Sequence, residues 1–174
     1  MDSRPLLLGH RGARAVQTIP ENTFASFDLA LAHGCDGFEF DVRLTADGEA
    51  VVCHDPKTRG VEIARASADS LLDLPRLRDV LIRYRDKAFL DIELKVPGIE
   101  KAAAKLLREF TPSRGFVVSS FLPEVLRALH AEDATIPLGL ICEITSQLER
   151  WRRVPVTHVI LHQRLALLST IRAL

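Results

Sequence analysis

A regular alternation of short apolar runs with segments of helical periodicity constrains the fold of this chain more than any other feature. The apolar runs are rich in Val, Ile, Leu and Phe, and each is short enough to be one strand. Seven runs are predicted strands: residues 6–10, 37–44, 50–53, 88–94, 115–120, 138–142 and 157–161. Strands that alternate with helices favour a parallel sheet with helices packed outside it. The sequence therefore predicts an α/β protein.

Capping residues and prolines mark the predicted helices between these strands. Asn22 can cap a helix that carries Phe24, Phe27 and Leu31 on one face and ends at Gly34. Further helices are predicted to begin at Pro75 and Pro123 and to span residues 100–110, 147–153 and 164–173.

One connection departs from the alternation. Between Asp41 and His54 there is no room for a crossover helix, and residues 45–48 form a Thr-Ala-Asp-Gly turn signal. The local pattern favours a hairpin with Glu39 opposite His54, whereas the neighbouring units favour a parallel strand. The sequence leaves both arrangements open, and in both of them Glu39 and His54 approach each other.

Composition narrows the classes of partner. The 174 residues carry 23 Lys and Arg against 23 Asp and Glu, so there is no basic field for a nucleic acid or an acidic membrane. The leucines at 6–8 are too short a run for a signal peptide or a membrane span. Cys35, Cys53 and Cys142 lack metal-type spacing and are interpreted as buried, reduced thiols, which predicts a cytoplasmic protein.

Charged residues recur on one face of two predicted strands. Glu39 and Asp41 share a face of the second strand, and Asp91, Glu93 and Lys95 share a face of the fourth. A solvated strand face is the ordinary explanation, but in a parallel barrel this face points into the interior. Buried carboxylates there need a cation or hydrogen-bond donors. Glu39, Asp41 and Glu93 would form an all-oxygen site suited to Mg²⁺, Ca²⁺ or Mn²⁺.

Two histidines directly follow short apolar runs. His10 follows the first run and His54 the third, at strand ends where barrel enzymes place their catalytic groups. A histidine can give or take a proton near pH 7. The role of His162, near the end of the seventh strand, is left open. His33, His130 and His158 are interpreted as packed core histidines.

Taken together, five motifs in this order and spacing resemble the glycerophosphodiester phosphodiesterase family. They are His-Arg-Gly-Ala at 10–13, Pro-Glu-Asn-Thr at 20–23, Phe-Glu-Phe-Asp-Val at 38–42, Val-Val-Cys-His-Asp-Pro at 51–56 and Ile-Glu-Leu-Lys at 92–95. Each motif alone is a weak signal, but five in the same order are specific. The ordered matches extend from residue 6 to about residue 121.

The resemblance implies a TIM-like (β/α) barrel with a divalent cation, Mg²⁺ or Ca²⁺ with Mn²⁺ as a third candidate, at its carboxyl-terminal mouth. It implies a small-molecule glycerophosphodiester substrate, hydrolysed to sn-glycerol 3-phosphate and an alcohol. The resemblance implies that His10 and His54 are the acid–base pair. It implies that Glu39, Asp41 and Glu93 are the metal ligands. Arg11 and Lys95 are the implied phosphate-facing groups. Glu21 is interpreted as a partner of Arg11.

Two departures from the family pattern bear on the domain. Only eighteen residues, 57–74, stand where the family carries a long insertion, so we expect an unusually open mouth. The family's eighth strand and helix are absent, so we expect one barrel domain over residues 1–174 that is incomplete at its carboxyl-terminal side. An open barrel edge has to be compensated, and we expect first that the chain continues into residues outside this sequence. Association of the chain with itself through that edge is the second expectation, and closure of the gap by the two edge strands is the third.

Two other functions stay open at this point. A lyase-type relative would stop at a cyclic phosphate, as phospholipase D-like enzymes do. A truncated barrel could instead bind a ligand without turnover, because the motif residues are present while the barrel is not closed.

Overall fold

Six parallel strands form the centre of the structure, a computed structural model that describes residues 4–16 and 18–174. The strands of the sheet are β1 (Leu8–His10), β2 (Gly37–Leu44), β3 (Ala50–Val52), β6 (Phe89–Leu94), β7 (Phe116–Ser120), β8 (Leu138–Cys142) and β9 (His158–Leu161). The parallel strands lie in the order β1-β2-β6-β7-β8-β9, and every neighbouring pair on this path is parallel. All seven predicted runs are thus strands.

The helices follow the strands and lie on one side of the sheet. They are α1 (Phe24–Ala32), α2 (Leu77–Tyr84), α3 (Glu100–Glu109), α4 (Pro123–Glu132), α5 (Thr145–Leu148) and α6 (Leu168–Ala173). The last two are shorter than predicted, because each shares its segment with a 3₁₀ turn, at Trp151–Arg153 and Gln163–Leu165 respectively. Residues 57–74 form a small hairpin of β4 (Lys57–Thr58) and β5 (Val61–Glu62), followed by two 3₁₀ turns.

The orientation of β3 resolves the alternative that the sequence left open. β3 pairs antiparallel with β2, with Val42 opposite Val52 and Leu44 opposite Ala50. The loop has five residues because Thr45 N–H donates to the Glu49 carbonyl at 3.0 Å. This register lies one residue away from the expected one, so Glu39 is not directly opposite His54. β3 is therefore a side branch of β2, and the parallel sheet has six strands among the described residues, not seven.

The start of α1 corrects the predicted cap. Thr23, rather than Asn22, is the N-cap, and its side chain accepts a hydrogen bond from Ser26 N–H at 3.2 Å. Asn22 has φ 59°, in the left-handed region that asparagine tolerates better than most residues. Its side chain turns away from the helix and toward the sheet.

The alternation of β2 separates the core from the site. Phe38 and Phe40 face the helices and are fully buried, and the Phe38 ring stacks on Phe27 with centroids 4.2 Å apart. Burial of each such side chain stabilises the fold by about 1.5–3 kcal/mol. Because successive strand residues point to opposite faces, this packing directs Glu39 and Asp41 to the other side of the sheet.

Some interpretations of single residues were wrong. His33 and His158 are exposed and His130 is partly exposed, so they are not core histidines. Cys142 is buried as expected, but Cys35 and Cys53 are only partly buried. Within the described residues, no helix has the length and apolar character that crossing a membrane would require.

Strands β1 and β9 are the two outer strands of the parallel sheet, each paired on one side within the part of the chain that the structure describes. Outer strands with unpaired N–H and C=O groups favour pairing with another chain. Self-association through these edges stays a prediction.

Candidate active site

Three carboxylates converge on the face of the sheet opposite the helices. Glu39 and Asp41 come from β2 and Glu93 from β6, and one oxygen of each lies within 4.8 Å of the others. The strand register explains this, because Asp41 and Glu93 are direct neighbours across the parallel pair. Asp41 is 0% exposed and Glu93 7% exposed, so the cluster is largely removed from water.

Lys95 carries the positively charged side chain closest to this cluster among the described residues. Its Nζ lies 2.6 Å from Glu93 Oε1 and 3.2 Å from Asp41 Oδ1. These distances are those of ion pairs, yet neither oxygen makes an aligned hydrogen bond. Lys95 is therefore ion-paired with both carboxylates, because an ion pair depends on distance and only weakly on angle. Glu39 Oε1 is buried and has neither an ion-pair partner nor a hydrogen-bond partner in the described part of the chain.

Burial and charge shift the pKa values of the three carboxylates in different directions. Burial raises the pKa of Glu39 well above its usual range, and the negative charge of Asp41 adds to the rise. Burial also raises the pKa of Glu93, although Lys95 opposes it. For Asp41, the hydrogen bond from Asn22 and the charge of Lys95 outweigh burial and lower the pKa. Asp41 is thus the member best held as an anion.

Asn22 fixes the position of Asp41. Its Nδ2 donates to Asp41 Oδ2 at 2.9 Å, and its Oδ1 accepts from the Asp41 backbone N–H at 3.3 Å. Arg11 Nε also lies 3.2 Å from Asp41 Oδ2. The motif residue interpreted as a helix cap therefore orients a carboxylate of the cluster.

Replacing Asn22 with Gly should destabilise the protein by about 2 kcal/mol, because the buried Asp41 N–H loses its acceptor. Asn22→Ala should cost roughly 1 kcal/mol more, since alanine resists the left-handed backbone. Urea unfolding measures both values. The matched control is Thr23→Ala, which removes the cap of α1 but should leave cation affinity unchanged. Wild-type stability and cation affinity in Asn22→Gly would contradict this role.

The end of β1 and the loop after it place two of the predicted residues, His10 and Arg11, beside the cluster. Arg11 adopts φ 52°, and its backbone N–H donates to Glu39 Oε2 at 2.9 Å. Its guanidinium donates to Glu21 Oε1 at 2.8 Å, which confirms the pairing expected for Glu21. His10 Nε2 lies 3.6 Å from Glu39 Oε2. Burial lowers the pKa of His10, and the charges of Arg11 and Arg14 act in the same direction.

His54 reaches the same region from the end of the β2–β3 hairpin. Its Nδ1 lies 2.8 Å from Asp55 Oδ1. Its backbone carbonyl accepts hydrogen bonds from Arg43 Nε and Nη2, at 2.8 and 2.6 Å. The sequence analysis missed Arg43, although its position two residues after Asp41 on the same strand face was a usable signal.

A cavity of about 450 Å³ joins these groups. All the predicted site residues except Asp41 line it: His10, Arg11, Glu39, His54, Glu93 and Lys95. Asp91, Arg14 and His162 line it as well and had been given no role. Burial raises the pKa of Asp91 to about 6, although a hydrogen bond from Ser119 opposes the rise. The seven predicted residues thus meet at one place.

Comparison with known proteins gives a family for this arrangement. The model described as "Glycerophosphoryl diester phosphodiesterase family" matches residues 10–80. A glycerophosphodiester phosphodiesterase of Caldanaerobacter subterraneus subsp. tengcongensis is 32% identical over an alignment of 164 positions that covers 79% of this chain and 67% of that protein. The chain belongs to the glycerophosphodiester phosphodiesterase family.

Further relatives in the glycerophosphodiester phosphodiesterase family agree. One of Bacillus altitudinis is 32% identical over 78% of this chain and 65% of its own length, so the chain spans about two thirds of such curated relatives. Among solved structures, a glycerophosphodiester phosphodiesterase of Thermotoga maritima matches 99% of this chain and 80% of its own, with a TM-score of 0.80 and 24% identity. An Oleispira antarctica phosphodiesterase, in complex with the product sn-glycerol-3-phosphate, matches 97% of this chain and 79% of its own, with a TM-score of 0.82 and 24% identity.

These structural likenesses establish the fold. The parallel sheet with its outer helices corresponds to part of a TIM-like barrel, and its described strands form an open half-barrel. The predicted α/β barrel class and the predicted family are both confirmed.

Proposed function

We propose that this chain hydrolyses glycerophosphodiesters to sn-glycerol 3-phosphate and an alcohol in a reaction that requires a divalent cation. The observation that carries the proposal is the largely buried cluster of Glu39, Asp41 and Glu93 beside a cavity that His10 and His54 also line. The name of the Caldanaerobacter relative and the product bound in the Oleispira phosphodiesterase support this substrate class.

The carboxylate oxygens of the cluster that accept no hydrogen bond fit a hard cation, and two of them lie against the positive charge of Lys95. Glu39, Asp41 and Glu93 each have one buried carboxylate oxygen that makes no hydrogen bond among the described residues. We infer that these three residues hold Mg²⁺ or Ca²⁺, with Mn²⁺ as a third candidate, since such ions take oxygen ligands. A bound cation would supply positive charge that stabilises the phosphoryl oxygens during displacement.

Two side chains are proposed to face the phosphate. Lys95 lies against Asp41 and Glu93, and Arg11 lies against Asp41 and Glu21, so both cations are already held at the cluster. Each lines the cavity and is only slightly exposed. Preorganised positive charge of this kind stabilises the negative charge that grows on phosphoryl oxygens.

His10 and His54 are proposed as the acid–base pair. One imidazole takes the proton of the glycerol hydroxyl next to the phosphate, and that oxygen then bonds to phosphorus. The other imidazole protonates the alcohol oxygen as its bond to phosphorus breaks. Water then opens the resulting cyclic phosphate to give sn-glycerol 3-phosphate. Asp55 holds Nδ1 of His54, which leaves Nε2 of that ring for the substrate.

Phosphorus NMR of a glycerophosphodiester incubated with the chain tests the proposal. We expect accumulation of sn-glycerol 3-phosphate, and we expect a chelator to stop it. A cyclic phosphate that persists would assign the lyase reaction instead. Binding of the diester without any product, with and without added cation, would assign a binding fragment.

The proposed cellular location and binding partner rest on the state of the cysteines and on the balance of charges. We propose a cytoplasmic protein, because its described cysteines are free thiols, and a partner that is a small molecule rather than a nucleic acid, because its charges balance.

A further inference from the structure

Asp91 is a buried carboxylate of the catalytic cavity that the mechanism does not use. It lies on β6 and is 8% exposed. Ser119 Oγ donates to Asp91 Oδ1 at 2.6 Å, and Ser119 is itself fully buried. Oδ2 makes no hydrogen bond to any described residue, while the carboxylate lines the cavity together with Glu93 and Lys95. Oδ1 is therefore fixed by Ser119, and Oδ2 is free to accept a hydrogen bond from a ligand in the cavity.

A purely structural role explains this arrangement poorly. Burying a carboxylate is costly, and an apolar side chain of similar size at such a position is often as stable or more stable. Ser119 satisfies only one of the two oxygens. Asp91 is also not part of the group whose oxygens lie within 4.8 Å of one another, so it does not complete the cation site.

We propose that Asp91 binds the terminal hydroxyl of the substrate's glycerol, with Ser119 as the residue that orients it. This inference rests on the proposed function. A carboxylate accepts hydrogen bonds and does not donate them, so its partner must carry a hydrogen, which phosphate oxygens of a diester lack. The glycerol unit has two free hydroxyls, and the one next to the phosphate is needed for attack. The terminal hydroxyl is the donor that remains on the glycerol unit, the part of the substrate that all glycerophosphodiesters share.

The spacing along β6 agrees with this assignment. Asp91 and Glu93 are two residues apart on the same face, a separation of about 6.6 Å along a parallel strand. A phosphate held near Glu93 and Lys95 leaves a three-carbon glycerol chain to extend along the strand toward Asp91. The class of substrate selected is then a diester whose glycerol is free of acyl chains, since an acylated terminal oxygen cannot donate.

The proposal is tested by comparing the rates of two substrates in two proteins, wild type and Asp91→Ala. The substrates are a glycerophosphodiester and its analogue built on propane-1,2-diol, which keeps the attacking hydroxyl and lacks the terminal one. We expect wild type to prefer the full glycerol diester by roughly 10- to 100-fold in kcat/KM, the effect of one hydrogen bond to a charged group. In Asp91→Ala this ratio should fall to near 1, because the partner of the hydroxyl is gone.

Controls separate this role from a structural one. Asp91→Val fills the space with a good strand former and should give the same loss of preference as Asp91→Ala. Ser119→Ala should reduce the preference only in part, because the carboxylate remains. Cation affinity, measured by calorimetry, should be unchanged in both Asp91 variants.

Two results in the Asp91 variants, and one in wild type, would overturn the inference. One is a ratio in the folded Asp91 variants equal to that of wild type, and the other is a loss of cation affinity in those variants. The proposed function fails differently, namely if wild type turns over neither substrate in the presence of cation. Equal turnover of both substrates by wild type would leave the proposed function standing and remove the role of Asp91.

Discussion

Replacing Glu93 with Gln should lower kcat by roughly 10³-fold, and replacing Glu39 with Gln should have an effect of the same order. The reason is the loss of a proposed cation ligand and with it the stabilisation of charge on the phosphoryl oxygens. Cation affinity measured by calorimetry should fall in parallel. Glu49→Gln in the loop between β2 and β3 removes the same charge away from the cluster and serves as the matched control.

Stability separates the loss of a ligand from the loss of the fold. Three buried carboxylates close together repel one another without cation, so Glu39→Gln should unfold at no lower temperature than wild type in the presence of chelator. Wild type should gain stability when cation is added, because the cation binds the folded state, and the variant should gain much less. Unchanged cation affinity in both glutamine variants would remove these residues from the site.

Loss of either histidine should slow the reaction by roughly 10²–10⁴-fold, the usual effect of removing a group that transfers a proton. His10→Ala and His54→Ala should combine to far less than the product of their separate effects, because the two groups act as a unit. Rates on a glycerophosphodiester measure both. His33→Ala, which removes an exposed histidine outside the cavity, is the control.

A second substrate assigns the two roles. A diester with a p-nitrophenolate leaving group needs no proton on departure, so it should restore the rate of the variant that lacks the acid and not of the one that lacks the base. Equal losses on both substrates in both variants would argue against separate acid and base roles for His10 and His54.

How far the sequence predicts this molecule depends on how local the deciding interactions are. β2 was predicted at its observed bounds, because strict alternation of aromatic and charged residues has one explanation in a half-buried strand. The direction of β3 was not predictable, since it depends on whether the loop at Thr45 closes on Glu49 or the strand pairs elsewhere. The convergence of Glu39, Asp41 and Glu93 followed once a parallel sheet was assumed.

The residues that support the site were harder to predict than the site itself. Asn22 directly precedes the N-cap of α1. The neighbouring residues are the same whether an asparagine at this position caps the helix or turns its side chain toward the sheet, as Asn22 does. The bonds from Arg43 to the His54 carbonyl and from Ser119 to Asp91 join segments distant in sequence or in different strands. Only the packed structure brings such pairs together.

The arrangement of the strands has a consequence for how the chemistry is divided along the chain. All seven proposed site residues lie between His10 and Lys95, on β1, β2 and β6 or just after β1, β3 and β6, and these elements are joined directly through β2. The strands from β7 onward contribute walls of the cavity such as Ile141 and Ile160, and β7 also carries Ser119, which donates a hydrogen bond to Asp91. Reaction chemistry and cavity shape are thus encoded in consecutive stretches of sequence. Under the proposed function, the later stretch can therefore diverge and reshape which alcohol is accepted, while the seven proposed site residues stay in place.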